Sequence, residues 1–463
     1  MKGVDFPGLL ALFQQARRQA VEAQRPILAV SACPAPDLDP LRLYEAHRQG
    51  FFWCARQPDL TLFGYGCQWQ ALASGSQRMA EIQRQWAALC VDALVAGPKS
   101  PLLLGGMRFD EQQAGAAHWA GFADASFHLA HWLLSEDASG RWLRCQRRVE
   151  PDSDPAELAR DSLAAYERLL AMAPPAPSAP RAIERHALPA AQWQAKVDAA
   201  LQAIDAGHLS KVVLARHIEY RLDAPLDSGA VMRRLHDQRS PSHLFALHRG
   251  AHCFMGATPE RLLGARQGQL NTHALAGSAR RGRTAAEDEA LGARLLADAK
   301  EQHEHRLVVQ TIRQGLDALV SDLQAAAGPR LLKLANVQHL STPIQARLRP
   351  EHSLLDGVRA LHPTPAVGGL PRAGALNFIR RHEGFDRGWY AAPVGWLDAE
   401  GNGDFLVALR SALLAPDSCH LFAGCGIVQG SRPADEYEET QIKLSSMERA
   451  LLLFGPPAVA ATG

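Results

Sequence analysis

The amino-acid sequence predicts an α+β fold in which large, mostly antiparallel β-sheets form a central sandwich flanked by helices. Strand-like runs and helical patterns are mixed along the chain, without the strict βα alternation that builds a parallel sheet. Several predicted strands are joined by short links, and short links connect antiparallel rather than parallel neighbours. With 47% hydrophobic residues in a chain of 463, there is ample material for a buried core.

The first portion of the chain, residues 1–180, is predicted to be a scaffold of mixed strands and helices. Its strands are predicted from apolar runs of strand length, and its helices from apolar residues at helical spacing. The strand-like runs are Ile27–Ala32, Leu60–Tyr65, Leu102–Phe109 and Phe127–Leu134, and the helices are Ser76–Ala96 and Asp154–Ala171. The Pro- and Ala-rich stretch Met172–Pro180 follows, and it is either a linker between domains or a surface loop within one.

The second portion, residues 188–455, is predicted to carry the functional site, since its sequence patterns are sharper. Apolar residues recur at helical spacing over Ala285–Ala327, which predicts one long helix. The other predicted elements are the helix Ala190–Ala206, the strands Lys211–Arg216, Phe254–Ala257, Asp404–Leu414 and His420–Ala423, and a last helix from Pro433 to about Phe454. A serine and a proline at the start of that last helix are typical of a capped N-terminus.

Composition and charge argue against several classes of partner. Lysine and arginine total 49 against 48 aspartate and glutamate residues, so no overall charge recruits nucleic acid or an anionic membrane surface. No apolar run approaches the length of a bilayer-spanning helix. The eight cysteines are scattered without a CxxC pair, which indicates a reduced, cytoplasmic setting. We expect a monomer, with a homodimer as the alternative, and no nucleic-acid or membrane partner.

The last predicted helix presents acidic and basic side chains on one face. Glu436, Glu439 and Lys443 are spaced i, i+3 and i+7, so they lie on the same side of a helix. Just upstream, Ala423–Ile427 is predicted to be a glycine-rich turn whose backbone N–H groups form a nest for a carboxylate. Together these features suggest a metal-plus-carboxylate site. A solvated helix face with an ordinary Glu439–Lys443 pair is the alternative on this segment alone.

A second acidic pair lies on the long predicted helix. Glu301 and Glu304 are three residues apart. Glutamates from two separate helices would suit a hard cation such as Mg²⁺, which takes one or two carboxylates along with waters. An exposed charged turn is the alternative. The neighbouring His303 and His305 could suggest zinc, but residues two apart on a helix point in different directions, which makes zinc the weaker interpretation.

Four further residues stand where charged or polar groups meet predicted strands. Lys211 begins an apolar strand, where it is either an edge charge or a base. Glu260 follows a strand at a Pro-Glu turn and is either a surface carboxylate or a general acid. Arg410 interrupts an apolar run, and a guanidinium beside a buried strand needs a partner such as a substrate carboxylate. Tyr390 precedes another apolar run, and it either shares that carboxylate or is a core aromatic.

These motifs together resemble the chorismate-utilising enzyme family, which includes isochorismate, salicylate, anthranilate and aminodeoxychorismate synthases. The matching blocks lie in family order from about residue 190 to 453, whereas the first third of the chain matches far more weakly. The blocks are Lys211–Arg216, Thr258–Leu263, Leu275–Arg280, His303–His305, Val337–Thr342, Leu361–Val367, Gly395–Asp398, Phe422–Ile427 and Glu436–Thr440. The resemblance implies the chorismate-utilising enzyme fold, chorismate as the small-molecule partner and Mg²⁺ as the cofactor.

The resemblance also implies roles for individual residues. Lys211 is similar to the family's base that activates water, and Glu260 to the acid that protonates the departing hydroxyl. Glu304 and Glu439 match magnesium ligands, supported through the metal's waters by Glu301 and Glu436. Arg410 and Tyr390 match the residues that hold the enolpyruvyl carboxylate. The other implied substrate contacts are Gly277, Ser278, His339, Ala366, Gly424, Gly426 and Lys443.

Three positions point, within the family, to conversion of chorismate to isochorismate by water attack and hydroxyl loss. Ala276 stands where aminodeoxychorismate synthases carry a lysine nucleophile, and Lys211 stands where anthranilate synthases have glutamine. The segment Leu361–Gly368 resembles the isochorismate-forming version of the substrate loop. Salicylate synthase, which goes on to eliminate pyruvate, is the alternative. Cys425 replaces the alanine often found in the family, and we expect no change of activity from it. Siderophore, salicylate and menaquinone biosynthesis all start from isochorismate, and the sequence favours none of the three.

Overall fold

The structure is a computed structural model that describes residues 4–56, 59–113, 115–171, 180–238, 241–333 and 337–453. These residues form eleven α-helices and 23 strands, numbered in chain order. The helices are α1 (Phe6–Ala23), α2 (Pro40–His47), α3 (Arg78–Cys90), α4 (Pro155–Ala171), α5 (Ala190–Asp205), α6 (Ser228–Asp237), α7 (Ala285–Ala297), α8 (Ala299–Leu316), α9 (Leu354–Leu361), α10 (Arg372–His382) and α11 (Pro433–Leu451). No helix in these ranges is long and apolar enough to cross a membrane.

The strands are grouped in two large sheets. They are β1 (Ile27–Pro34), β2 (Phe51–Arg56), β3 (Asp59–Tyr65), β4 (Trp69–Ala73), β5 (Leu94–Ala96), β6 (Leu102–Met107), β7 (Ala125–Leu129), β8 (Trp132–Asp137), β9 (Gly140–Val149), β10 (Ala182–Ala187), β11 (Lys211–Leu222), β12 (His243–Arg249), β13 (His252–Thr258), β14 (Arg261–Arg266), β15 (Gln269–Arg280), β16 (Val320–Ala325), β17 (Arg330–Lys333), β18 (Val337–Leu348), β19 (Gly369–Leu370), β20 (Pro393–Asp398), β21 (Gly403–Val407), β22 (Ser411–Leu414) and β23 (Ser418–Ile427).

The first sheet has 13 strands, in the order β10-β11-β23-β22-β13-β12-β2-β3-β8-β9-β1-β5, with β19 beside β11. The second has 10 strands, in the order β16-β18-β15-β14-β21-β20-β6-β7-β4, with β17 beside β18. Among the described strand pairs, β1 and β5 are parallel, and neighbours such as β11 and β23 are antiparallel. The predicted α+β fold with large, mostly antiparallel sheets is therefore confirmed.

The two sheets share one hydrophobic core. Phe245 and Phe254 of the first sheet belong to the same buried cluster as Phe127 and Phe405 of the second. The first sheet also contributes to a second buried cluster that includes apolar residues of α1, α4, α6 and α11. Burial of this kind removes apolar surface from water, which is the main favourable term in folding.

Strands from the two portions of the chain pair with each other in both sheets. Trp53 of β2 lies opposite Phe245 of β12, and Leu104 of β6 lies opposite Trp396 of β20. The proposed linker falls on residues 172–179, which lie outside the described residues. The division into residues 1–180 and 188–455 therefore stays a prediction.

Two predicted helices are too long. The pattern over Ala285–Ala327 is divided at Asp298, whose extended backbone ends α7 and whose side chain caps α8 by accepting hydrogen bonds from two backbone N–H groups. The chain then leaves the helix after Leu316 and forms β16. The helix predicted over Ser76–Ala96 similarly ends at Cys90 and is followed by β5. Both helices were predicted to end too late, because the apolar residues of the short edge strand that follows each helix continue the helical spacing.

Two predicted strands each turned out to be two strands in different sheets. The apolar run over Asp404–Leu414 contains β21 of the second sheet and β22 of the first, with Arg410 in the crossing link. Phe127–Leu134 likewise covers parts of β7 and β8, which belong to different sheets. A continuous apolar run conceals such a crossing, since all of these strands are buried. The last helix begins at Pro433 as predicted and ends at Leu451.

Candidate active site

A polar cavity of about 250 Å³ has walls from both sheets and from α8 and α11. Every residue to which the family resemblance assigns a catalytic, metal-binding or substrate-binding role lines this cavity. They are Lys211, Glu260, Gly277, Ser278, Glu301, Glu304, His339, Ala366, Tyr390, Arg410, Gly424, Gly426, Glu436, Glu439 and Lys443. These residues are spread over half of the chain, so it is the fold that brings them together.

Lys211 enters the cavity from the start of β11 and is only 8% exposed. Its Nζ contacts a carboxylate oxygen of Glu304 on α8. A Cβ atom at Gly426 of the neighbouring strand would lie 3.0 Å from Lys211 Cε, so glycine at this position leaves room for the lysine. The amine is thereby held at the cavity wall, in contact with one of the acidic residues.

The segment Ala423–Ile427 is the end of strand β23, so the predicted glycine-rich turn is wrong. Successive N–H groups of a strand point to opposite sides, so the segment does not form the predicted nest for a carboxylate. Pairing with the long strand β11 keeps these glycines extended. These glycines leave space for neighbouring side chains, since a Cβ at Gly424 would lie 3.3 Å from the Tyr390 hydroxyl oxygen.

Glu260 lies in the two-residue link between β13 of the first sheet and β14 of the second. Its main chain is fixed, because its N–H donates to Thr258 Oγ1 at 3.2 Å and its carbonyl accepts from the Val407 N–H at 3.0 Å. Burial raises the pKa of Glu260 to about 7, and the charges of Lys211 and Lys443 only partly oppose this. A carboxyl group with this pKa keeps a large protonated fraction at neutral pH, as a general acid requires.

Four glutamates line the cavity in two pairs, Glu301 and Glu304 from α8 and Glu436 and Glu439 from α11. Burial and the charge of Glu304 raise the pKa of Glu301, and burial together with Glu439 raises the pKa of Glu436. In the described part of the chain, no three acidic, histidine or cysteine side chains converge closely enough to enclose a metal ion. The donor set still fits Mg²⁺, which needs only one or two carboxylates with waters, and a cation would relieve the repulsion within each pair.

The two histidines of α8 do not line the cavity. His303 is exposed. His305 is buried, and its ring nitrogens lie 3.2 Å from the Ala276 carbonyl oxygen and 2.7 Å from Thr342 Oγ1. His305 therefore fixes α8 against β15 and β18 and thereby helps to place the glutamates of the same helix.

Gly277 allows the second sheet to approach the glutamates of α8. It lies at a register shift in β15 with φ +81°, and a Cβ there would be 3.0 Å from Glu301 Oε2. Ser278 Oγ is 2.8 Å from His339 Nδ1. Burial lowers the pKa of His339 to about 4, so its ring is neutral at neutral pH.

Arg410 lies in the link that crosses from the second sheet to the first, with a φ of +47°. A left-handed backbone at a residue other than glycine costs about 1–3 kcal/mol and persists where the surrounding structure fixes it. No hydrogen bond or salt bridge to this half-buried guanidinium is found within the described ranges, although it lines the cavity. Tyr390 lies nearby and stacks on Phe422 with ring centroids 5.1 Å apart. An arginine in this setting is suited to a bidentate carboxylate.

A buried ion pair at the cavity wall was not predicted from the sequence. Glu383 and Arg387 are both 1% exposed, and Arg387 Nε donates to Glu383 at 2.8 Å. Arg387 also donates to the carbonyl oxygens of Val213 at 2.9 Å and Val367 at 2.8 Å, while Glu383 accepts from the Ala215 N–H at 2.9 Å. The pair thus joins β11 to the segment Leu361–Gly368. The i, i+4 spacing of Glu383 and Arg387 was the feature of the sequence from which this ion pair could have been predicted.

The fold and the cavity define an enzyme that binds a small carboxylate-bearing molecule. A carboxyl group with a raised pKa, a buried lysine, paired carboxylates and an arginine without a salt bridge all face one space. The chain belongs to the chorismate-binding family, since the family described as "Chorismate binding enzyme" matches residues 13–452. The family predicted from the motifs is thereby confirmed.

Individual relatives cover nearly the whole chain. The Pseudomonas aeruginosa protein named salicylate biosynthesis isochorismate synthase is 46% identical over 454 residues, which are 96% of this chain and 95% of the relative. Isochorismate synthase MenF of Bacillus subtilis is 35% identical and covers 94% of this chain and 96% of its own. The solved structure of MenF, the menaquinone-specific isochorismate synthase from Escherichia coli, superposes with a TM-score of 0.80 at 27% identity, covering 94% of this chain and 100% of that chain.

Proposed function

We propose that the protein is a magnesium-dependent isochorismate synthase, an isomerase that converts chorismate to isochorismate. The observation that carries this proposal is that Lys211 and the raised-pKa carboxyl group of Glu260 line one cavity together with Arg410. Relatives at 46% and 35% identity over nearly the full chain have isochorismate synthase in their names. We further propose a cytoplasmic monomer, with a homodimer as the alternative, whose partner is chorismate and not nucleic acid or a membrane.

The reaction needs a base and an acid that act on the same ring. Lys211, as the neutral amine, takes a proton from a water molecule while that water forms a C–O bond to one ring carbon. The ring double bonds shift, and the C–O bond to the departing hydroxyl breaks as Glu260 delivers its proton. One water molecule is consumed and one is released, so the substrate and the product are isomers.

The two carboxylates of chorismate require two separate binding groups. Arg410 and Tyr390 would hold the enolpyruvyl carboxylate, since the guanidinium lines the cavity without a salt bridge. Glu304 and Glu439, supported by Glu301 and Glu436, would hold Mg²⁺, and its charge would offset that of the ring carboxylate. Lys443, whose Nζ donates to the Gly424 carbonyl oxygen at 2.8 Å, would place a further positive charge near this group.

The pH profile of kcat/KM is expected to change slope near pH 7, because Glu260 titrates there. Glu260 must be protonated to act as the acid, and burial raises its pKa to about 7, so its protonated fraction declines roughly tenfold per pH unit above that value. The pH profile of kcat/KM measures this group in the free enzyme. In Lys443→Gln this change of slope is expected at higher pH, because the charge of Lys443 lowers the pKa of Glu260 in the wild type. A profile without a change of slope near pH 7, or one whose change of slope stays at the same pH in the variant, would contradict the assignment of Glu260.

Purified protein given chorismate and Mg²⁺ is expected to form isochorismate without releasing pyruvate. EDTA is expected to abolish turnover, and excess Mg²⁺ to restore it, because the paired glutamates need a cation to hold an anionic substrate. Products are separated by chromatography, and pyruvate is measured by a coupled assay. Salicylate plus pyruvate from the pure protein would show the salicylate synthase reaction instead. Full activity in EDTA would contradict the role of the glutamates.

A further inference from the structure

Arg216 is a buried arginine without an acidic partner. It lies on β11, is 1% exposed, and forms no salt bridge in the part of the chain that the structure describes. Two other deeply buried arginines are paired, Arg387 with Glu383 and Arg108 with Asp386, whereas Arg144 and Arg249 are also buried without a salt bridge in the described ranges. Burying a charge without a counter-charge destabilises a fold, so stability alone would favour an apolar residue at position 216.

Among the residues that the structure describes, the contacts of the Arg216 guanidinium come from aromatic and polar groups of two helices. Its guanidinium carbon lies 3.8 Å from the ring centroid of Tyr437 on α11 and 5.9 Å from that of Trp193 on α5. Its Nη1 donates to Thr440 Oγ1 at 2.8 Å. Trp193 in turn donates from Nε1 to the Pro433 carbonyl oxygen at 3.2 Å, in the first turn of α11. Arg216 therefore fastens the start of α11 to β11 and α5.

The two residues of α11 that Arg216 contacts each follow a cavity glutamate. Tyr437 comes directly after Glu436, and Thr440 directly after Glu439. Neighbouring residues of a helix are 100° apart around its axis and 1.5 Å apart along it. Fixing Tyr437 and Thr440 from one side therefore fixes the rotation and height at which both glutamates enter the cavity.

We infer that Arg216 is a positioning residue, which stacks on Tyr437 and bonds Thr440 so that Glu436 and Glu439 face the cation in the cavity. It does not line the cavity itself. The inference rests on the proposed magnesium site. It adds a residue that is not one of the four glutamates matched to magnesium ligands. A planar guanidinium is needed, because a lysine ammonium cannot lie flat on the ring and donate to Thr440 at once.

The test is the affinity of the purified protein for Mg²⁺, measured by calorimetry with the metal alone. In Arg216→Lys the Kd for Mg²⁺ is expected to rise about 10–100-fold, as it does when residues that orient metal ligands are replaced. The Mg²⁺ concentration for half-maximal turnover should rise by the same factor, and kcat at saturating Mg²⁺ should return to near the wild-type value. A purely structural arginine would lower the melting temperature and leave the Mg²⁺ affinity of the folded fraction unchanged.

Three further variants accompany this measurement, two as controls and one as a second test of the contact. Arg185→Lys changes an arginine that also lies over a tyrosine ring, Tyr220 at 5.9 Å, but away from the cavity, and its Mg²⁺ affinity should stay at the wild-type value. Tyr437→Leu removes the ring beneath Arg216 and should weaken Mg²⁺ binding, whereas Tyr437→Phe keeps the ring and should not. This pair tests the contact even if position 216 variants fail to fold.

The outcomes separate this inference from the proposed function. Normal Mg²⁺ affinity in folded Arg216→Lys and Tyr437→Leu, beside a wild type that binds the metal, would overturn the role of Arg216 alone. A wild-type protein that binds no Mg²⁺, with or without chorismate, would overturn the metal site and the inference with it. Weaker binding in these two variants, with Arg185→Lys and Tyr437→Phe unchanged, is the expected result.

Discussion

Replacing Lys211 with methionine is expected to lower kcat by about 10²–10⁴-fold, because the enzyme then lacks the base that activates water. Methionine keeps much of the side-chain length and fits the space that Gly426 leaves beside Lys211. The measurement is steady-state turnover of chorismate at saturating Mg²⁺. Far-ultraviolet circular dichroism and the melting temperature check that the variant is folded.

Two comparisons separate loss of the base from loss of an ion pair. Lys333→Met removes a lysine that pairs with Asp288 at 2.9 Å outside the cavity, and it should keep wild-type turnover. The Mg²⁺ affinity of Lys211→Met should not fall, since Glu304 loses only a competing positive charge. Wild-type turnover in folded Lys211→Met would show that another group activates the water.

Replacing Glu383 with alanine is expected to lower the free energy of unfolding by about 3–5 kcal/mol, because the buried guanidinium of Arg387 then loses its counter-charge. Both side chains are 1% exposed, so water cannot replace the lost partner. The backbone N–H of Ala215 also loses its acceptor. Urea denaturation followed by tryptophan fluorescence measures the change.

An exposed ion pair provides the matched control for Glu383. Arg148 and Glu150 lie 3.1 Å apart with side chains 38% and 39% exposed, and Glu150→Ala should change the unfolding free energy by only a fraction of the loss in Glu383→Ala. The double variant Glu383→Leu with Arg387→Met should recover part of the loss, since no buried charge then remains unpaired. Equal losses at positions 150 and 383 would show that burial does not strengthen this pair.

Helical spacing predicted that the members of each glutamate pair would share one helix face, with an ordinary solvated face as the alternative. Glu301 with Glu304 and Glu436 with Glu439 repeat at helical spacing, and both pairs do lie on helices that line the cavity. Their roles as magnesium ligands stay a prediction, as do the roles of the other site residues. The family resemblance was needed to predict that these two helices meet around one cavity. Spacing within one helix carries no information about its distant neighbours.

The errors share a physical cause, which is that long-range pairing overrides local sequence signals. Gly424 and Gly426 suggested a turn, but pairing with β11 holds them in a strand. Arg410 stands at a crossing between sheets that the surrounding apolar run conceals. The contact of Arg216 with Tyr437 joins residues more than two hundred positions apart, so no local pattern could reveal it.

The central claim, that water adds to one ring carbon while a different oxygen leaves, can be tested with isotopic water. Purified protein is incubated with chorismate and Mg²⁺ in H₂¹⁸O, and the products are analysed by mass spectrometry at low conversion. The proposed mechanism predicts isochorismate that carries one ¹⁸O atom in its ring hydroxyl, with no pyruvate released. Isochorismate without the label would show that the original oxygen is transferred within the molecule, and would contradict the roles given to Lys211 and Glu260.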